Sequence, residues 1–278
     1  MKAKKYIVLA ALAVMVAALA LVGCSSGSSS ASASASAEAS ASSAASGDMT
    51  LVTDGKLTIA TSPDYPPFEN LVDGEYVGLD IDIAKAIAAE LGLEPEFKTL
   101  QFDAIIPAIA AGGQADMGIS GFSVDPERAK EIDFSAPYYI DDQAIAVMKG
   151  GTITADNADK ELNSKDVKIA VQSGTTGEAY VQENYPEATV QPYGNSTDAF
   201  AAMQSGQANA VCTNKAVVDS MLADAYKDAE VVKSIATGEE YAIVVSQDNK
   251  ALTDAVNAAL TKLQGDGTIN QLVEQHMK

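Results

Sequence analysis

Arg128 is the one arginine in a chain whose lysines and arginines together number 18. Lysine is a point charge on a flexible stem, whereas arginine offers a rigid planar fork that grips a carboxylate or phosphate with two parallel hydrogen bonds. A chain that otherwise uses only lysine keeps its arginine where a fork is needed; the plainer alternative is a surface arginine left by drift. The local sequence is Ser120-Gly121-Phe122-Ser123-Val124-Asp125-Pro126-Glu127-Arg128. Asp125 is a helix N-cap type and Pro126 a first-position type. Arg128 then falls in a first turn, where the helix dipole disfavours a cation unless an anion sits there as well. A second anion-seeking stretch is Ser173-Gly174-Thr175-Thr176-Gly177, whose free backbone N–H groups suit a negative group, although glycine and threonine also make ordinary helix starts. Other chemistries lack material: His276 is the only histidine, so neither a histidine metal site nor a Ser-His-Asp triad is expected. No cofactor is expected either.

The elements that must position these residues alternate along the chain. A strand at Lys56 to Thr61 leads into a loop carrying Tyr65 and Phe68, and a hairpin is expected at Asp73-Gly74. A helix from about Ile81 to Leu91 follows, with Ile83, Ile87 and Leu91 at helical spacing and Gly92 as its stop. Then come a strand near Glu96 to Thr99, a helix from Phe102 to Ala111 with Pro107 awkwardly deep in it, and a strand at Ala115 to Ile119. The second half repeats the theme with a strand at Val167 to Val171, a helix from Glu178 and a strand at Ala210 to Thr213. Gln207, Asn209 and Thr213 echo Gln114, Asp116 and Ser120. A strand at Tyr241 to Val245 and helices from Asp248 to His276 close the chain. Alternation of this kind implies a mostly parallel sheet in two similar α/β lobes, with a cleft at the carboxyl ends of their strands.

The ends and composition bound the setting. Lys2, Lys4 and Lys5 precede an apolar run from Ile7 to Val22 that ends Leu21-Val22-Gly23-Cys24, the pattern of a secretory signal peptide. An uncleaved membrane anchor is the alternative, since the run approaches spanning length. Ser25 to Gly47 is nearly all serine and alanine; it cannot build a core and acts as a tether of roughly 26 Å. If Cys24 is modified, Cys212 has no disulfide partner and is expected to be a small buried apolar residue. A net charge of −20 excludes nucleic acid and anionic membrane surfaces as partners.

The Leu-x-Gly-Cys end resembles the bacterial lipoprotein box, which implies a lipid on Cys24 outside the cytoplasmic membrane. The rest of the chain, from about Lys56 to Met277, resembles the polar amino-acid binding proteins of ATP-driven importers, solute-binding protein family 3. That family includes binders of lysine/arginine/ornithine, of histidine and of glutamine. The resemblance rests on Gly78-Leu79-Asp80-Ile81-Asp82-Ile83, Phe102 to Pro107, Arg128 with its serines, and Asp133-Phe134-Ser135-Ala136-Pro137-Tyr138-Tyr139. It implies the α/β two-lobed type II periplasmic-binding-protein fold, with a ligand cleft between lobes and two hinge crossovers, near Ile140 to Ala144 and Gly238 to Tyr241. The divisions expected are a signal peptide over 1–23, a lipidated tether over 24–48, a first lobe of 49–141 with 241–278, and a second lobe of 142–240. The resemblance further implies that Arg128 grips a ligand α-carboxylate, helped by Ser123 and Thr176, while the oxygens of Ser120 and Gly121 accept from the α-ammonium. Tyr65 and Phe102 would wall the carbon chain, and Thr175 and Thr176 would engage on closure, after which a monomeric receptor docks on membrane permease subunits.

Two departures stand out. Asn214 occupies a position often held by an aspartate that pairs with the α-ammonium, and Ser62 another such position; Asp64, Asp141 or Asp142 are possible substitutes. The ligand is then an amino acid held by a rearranged amine site, or a small carboxylate without an α-amine. An enzyme on the same scaffold, similar to cyclohexadienyl dehydratases, is disfavoured because it needs a carboxylic acid in the cleft and Asn214 removes one. A sensor that presents its closed form to a signalling receptor is a third reading.

Overall fold

The computed structural model describes residues 49–278, so the expected signal peptide, Cys24 and the expected tether lie outside the described residues. The chain opens with β1 (Lys56–Thr61), a small antiparallel sheet of β2 (Asp64–Tyr65), β3 (Glu69–Val72) and β4 (Glu75–Val77), and helix α1 (Leu79–Leu91). β5 (Glu94–Thr99), α2 (Phe102–Ala111), β6 (Met117–Gly118), a 3-10 turn at Arg128–Lys130 and β7 (Ile132–Phe134) follow. The long β8 (Tyr139–Met148) crosses to a second lobe of α3 (Ala158–Glu161), β9 (Lys168–Gln172), α4 (Thr176–Asn184), β10 (Thr189–Tyr193), α5 (Ser196–Gln204), β11 (Ala210–Asn214) and α6 (Lys215–Ala223). β12 (Ala229–Tyr241) brings the chain back to β13 (Val244–Ser246), α7 (Lys250–Gly265) and α8 (Thr268–His276). No helix among the described residues is long and apolar enough to cross a membrane.

The two five-stranded sheets are ordered β5-β1-β6-β13-β7 and β10-β9-β11-β8-β12. β1 is flanked by parallel partners and covered on both faces, so its run Leu57 to Thr61 is buried throughout. α1 lays Ile83 and Ile87, both fully buried, onto that core; each contributes about 1.5–3 kcal/mol by leaving water. Gly92, at φ 69°, ends the helix in the left-handed conformation that glycine adopts at little cost. Gly78 starts it at φ 128°, where a Cβ would lie 2.2 Å from the Phe68 carbonyl oxygen. Asp73 and Gly74 both take positive φ, as a two-residue hairpin turn requires.

The internal echo has a structural meaning. In the first lobe the Asp116 carboxylate accepts the Thr58 and Val52 N–H groups, and in the second Asn209 Oδ1 accepts the Lys168 N–H. Each of these side chains precedes a strand parallel to its neighbour, β6 beside β1 and β11 beside β9, and ties that neighbour in place. The repeat therefore brings Ser120 and Thr213 to corresponding ends of the two sheets.

Several expectations change. The sheets are mixed: β13 runs antiparallel to β6 and β7, and β8 antiparallel to β11 and β12, because a chain arriving from the other lobe enters each sheet at the cleft end, where β6 and β11 finish. Tyr241 ends β12, and the strand expected from it begins at Val244 instead. The Ala115 to Ile119 strand pairs only over Met117–Gly118. α2 starts at Phe102, so Pro107 lies inside it and withholds the N–H that the Asp103 carbonyl would accept. The Asp125 carboxylate accepts from the Glu127 and Arg128 N–H groups as a cap should, yet only the short 3-10 turn follows. That leaves little macrodipole, so Arg128 is placed by its side-chain partners.

Candidate functional site

Between the lobes, the segment after β6 faces the start of α4 and the end of β11. Arg128 reaches into this cleft with its guanidinium carbon 5.4 Å from the Phe102 ring centroid and 5.7 Å from that of Phe122. The two rings stack 4.7 Å apart and form a floor that fixes the plane of the fork. Nη1 donates to the Ser123 carbonyl and Nη2 to the Gly174 carbonyl across the cleft, each at 2.9 Å. Burial draws the Arg128 pKa down from its ordinary value, and Asp125 and Glu239 work against that shift. Among the described residues no carboxylate lies within ion-pairing distance of the guanidinium.

The loop that carries Ser120 and Gly121 is fastened from behind. Ser120 Oγ accepts the Ser62 N–H at 3.1 Å and donates to Glu69 Oε1 at 2.6 Å, and the Gly121 N–H donates to Asp80 Oδ2 at 2.7 Å. Tyr138 donates to the other Asp80 oxygen at 2.8 Å. Burial pushes the Glu69 carboxyl well above the usual range, reinforced by the Asp80 charge, and burial raises Asp80 to about 6. Glu69 Oε2 is buried with no hydrogen-bond partner, a setting that disfavours the charged form of the carboxyl. Gly121, at φ 55°, packs so closely that a Cβ would sit 3.2 Å from the Tyr65 ring and 3.3 Å from that of Tyr241.

Tyr65 contributes more than an apolar wall. Its hydroxyl donates to Asn214 Oδ1 at 2.7 Å and lies 2.8 Å from Thr213 Oγ1, joining the lobes, and burial raises its pKa. Thr175 caps α4: its hydroxyl accepts from the Glu178 N–H and donates to the Gln172 carbonyl. Thr176 points to the opposite side, towards Glu239. These residues enclose a cavity of about 10 Å³, scarcely room for one water, so the lobes are drawn together here.

Eight of the ten candidate ligand residues line that cavity: Arg128, Tyr65, Phe102, Gly121, Ser123, Thr175, Thr176 and Asn214. The side chain of Ser120 turns into the first lobe. Ser62 faces a separate pocket and donates to Asp64 at 2.8 Å. The suggested substitutes for the missing aspartates are engaged elsewhere: Asp64 accepts from the Ser196 N–H, Asp141 from the Ala216 N–H and the Tyr241 hydroxyl, and Asp142 from the Gly238 N–H. Sequence reasoning missed Gln172, which lines the cavity, and Glu239 and Gln143, which bond to its lining residue Thr176 from behind. Glu239 lies within the segment expected to be a hinge, and a carboxylate next to a glycine at a lobe crossing was the available signal.

Comparison with known proteins agrees with this architecture. Residues 57–278 match the family described as bacterial extracellular solute-binding proteins, family 3. The chain is 32% identical over 226 residues to ABC transporter arginine-binding protein 1 of Escherichia coli (strain K12), covering 79% of this chain and 90% of that protein. It is 34% identical over 213 residues to the ABC transporter glutamine-binding protein GlnH of Bacillus subtilis (strain 168), covering 76% of each. Among solved structures, an ancestral arginine-binding protein bound to arginine superposes with a TM-score of 0.74 at 35% identity, covering 81% of this chain and 99% of that one. The ancestral amino acid-binding protein AncCDT-1, a precursor of cyclohexadienyl dehydratase, gives 0.73 at 36% identity, covering 81% and 96%. With the family matched over residues 57–278 and the fold shared, the chain belongs to the bacterial extracellular solute-binding proteins, family 3.

Proposed function

We propose that the protein is the extracytoplasmic receptor of an ABC importer, which captures a small amino acid by cleft closure and delivers it to the membrane permease without catalysis. The observation that carries this reading is Arg128: a charged fork on an aromatic floor between the lobes, hydrogen-bonded only to neutral carbonyls. A ligand carboxylate offers that fork the two parallel, charge-assisted hydrogen bonds it is shaped for. The named relatives bind arginine and glutamine, and those ligands differ in side chain but share the α-carboxylate and α-ammonium. A site built around Arg128 recognises that shared part.

In the same reading, the backbone of the Ser123 and Thr176 regions assists at the carboxylate, Tyr65 and Phe102 flank the carbon chain, and the lobes comprise 49–141 with 241–278 and 142–240. The Leu21-Val22-Gly23-Cys24 end supports a lipid on Cys24, so a monomeric receptor stays tethered near its permease. A thermal-shift screen of the twenty amino acids and a set of small carboxylates tests the reading. At a hundredfold excess over Kd the expected stabilisation is about 2.7 kcal/mol, a rise of several degrees in Tm for at least one amino acid. Response to amine-free carboxylates alone, or turnover of prephenate, overturns it.

A further inference from the structure

Glu239 stands where two irregular features meet. β12 loses register with β8 between Ile235, which pairs with Gln143, and Glu239, which pairs with Asp141. The three intervening residues bulge out, with Gly238 at φ 60° and its N–H held by Asp142 Oδ1 at 3.0 Å. The bulge sets Glu239 at the lobe crossing, where its carboxylate stands directly behind Ser123, Thr176 and Asn214, three residues that line the cavity. Oε2 accepts from Thr176 Oγ1 at 2.7 Å, from Asn214 Nδ2 at 3.2 Å and from the Ser123 hydroxyl; Oε1 accepts from Gln143 Nε2 at 2.9 Å. Gln143 is fully buried and holds that donor in place. Four neutral donors from both lobes thus converge on one carboxylate, and among the described residues no lysine or arginine pairs with it. Neutral donors orient a negative charge without cancelling it.

We propose that Glu239 is the carboxylate that receives the ligand's α-ammonium group, the role left open by Asn214 and Ser62. This rests on the reading that Arg128 holds the α-carboxylate. The two charged groups of an α-amino acid hang from a single carbon, so a receptor must present its positive and negative poles side by side. Ser123 joins them here: its carbonyl accepts from Arg128 and its hydroxyl donates to Glu239. Arg128 and Glu239 therefore form a matched pair of poles for a zwitterion. Neutrality at Asn214 also gains a reason, since an aspartate there would place a second negative charge against Glu239 Oε2.

The competing role for Glu239 is a latch, an internal carboxylate occupying hydroxyls that the ligand carboxylate needs. The two roles give opposite signs in calorimetry on Glu239→Gln, which keeps the shape and removes the charge. The probes are L-arginine and L-glutamine, each with its deaminated counterpart, 5-guanidinopentanoate and 4-carbamoylbutanoate. The expected result is at least a thirtyfold loss of affinity for the amino acid and less than a threefold change for the deaminated compound. Unchanged or tighter amino-acid binding by Glu239→Gln overturns the proposal in favour of the latch. Arg128→Lys, titrated in parallel, should weaken both kinds of probe; if it weakens neither, the carboxylate reading fails, independently of Glu239. A measurement on the wild type needs no variant to fold: the deaminated compound should bind at least a hundredfold more weakly than the amino acid, and equal affinities overturn the assignment of Glu239.

Discussion

The two lobes bring comparable loops to the cleft but brace them differently. Behind Ser120 and Gly121 the first lobe places Glu69, Asp80 and Tyr138, three buried side chains from three segments distant in sequence. Behind Gly174 to Thr176 the second lobe places chiefly the local turn: Thr175 caps α4, and the Glu178 carboxylate accepts the Gly174 N–H at 2.8 Å, with Gln143 and Glu239 reaching only the Thr176 hydroxyl. The first half of the site is set by buried tertiary contacts and the second chiefly by a helix start, with a tertiary tie at the Thr176 side chain alone. The difference teaches which half is the platform and which the closing jaw. Ligand contacts from the jaw can form and break with little cost to the core, as a closure mechanism requires.

The contrast can be broken first on the platform side. Burial raises Asp80 to about 6, above the roughly 3.9 of an unfolded aspartate, and raises Glu69 in the same direction. A carboxyl raised by folding favours the native state fully below the unfolded value and loses that contribution as pH rises through the folded one. Stability should therefore decline between about pH 4 and 6, on the order of 2 kcal/mol for Asp80 alone. Urea unfolding across that range, compared with Asp80→Asn, reads the effect: the variant's profile should be flatter. Parallel profiles would show that the platform carries no such load. Asp141, also raised to about 6 by burial at the crossing, adds a decline of the same sign that Asp80→Asn leaves in place.

On the jaw side the effect is smaller. Thr175→Ala removes one N-cap and should cost about 1 kcal/mol in urea unfolding with no change in pH profile. A loss of several kcal/mol would mean that the second lobe's loop is braced by more than its own turn.

How much of this was legible in the sequence follows the same divide. Local signals were read well: Gly92 as a stop, Asp73-Gly74 as a turn and Asp125 as a cap all appear where spacing put them. The Asp116 and Asn209 echo was visible as a repeat, and its cause is a shared strand tie. Long-range placement was not legible. Nothing in the local sequence says that Glu239 lies 116 residues from Ser123 along the chain and within hydrogen-bond reach of it, because a bulge in β12 does that work. Ser62 stands apart from the cavity for a related reason: its hydroxyl has an acceptor two residues away in Asp64 and turns to it.

Arg128→Lys tests the central claim most directly, by calorimetric titration of wild type and variant with the amino acid that gives the largest thermal shift. Lysine keeps the charge and loses the fork, so affinity should fall more than a hundredfold, about 3 kcal/mol, with Tm of the ligand-free protein held within a few degrees. Equal affinities in a folded variant would contradict the account.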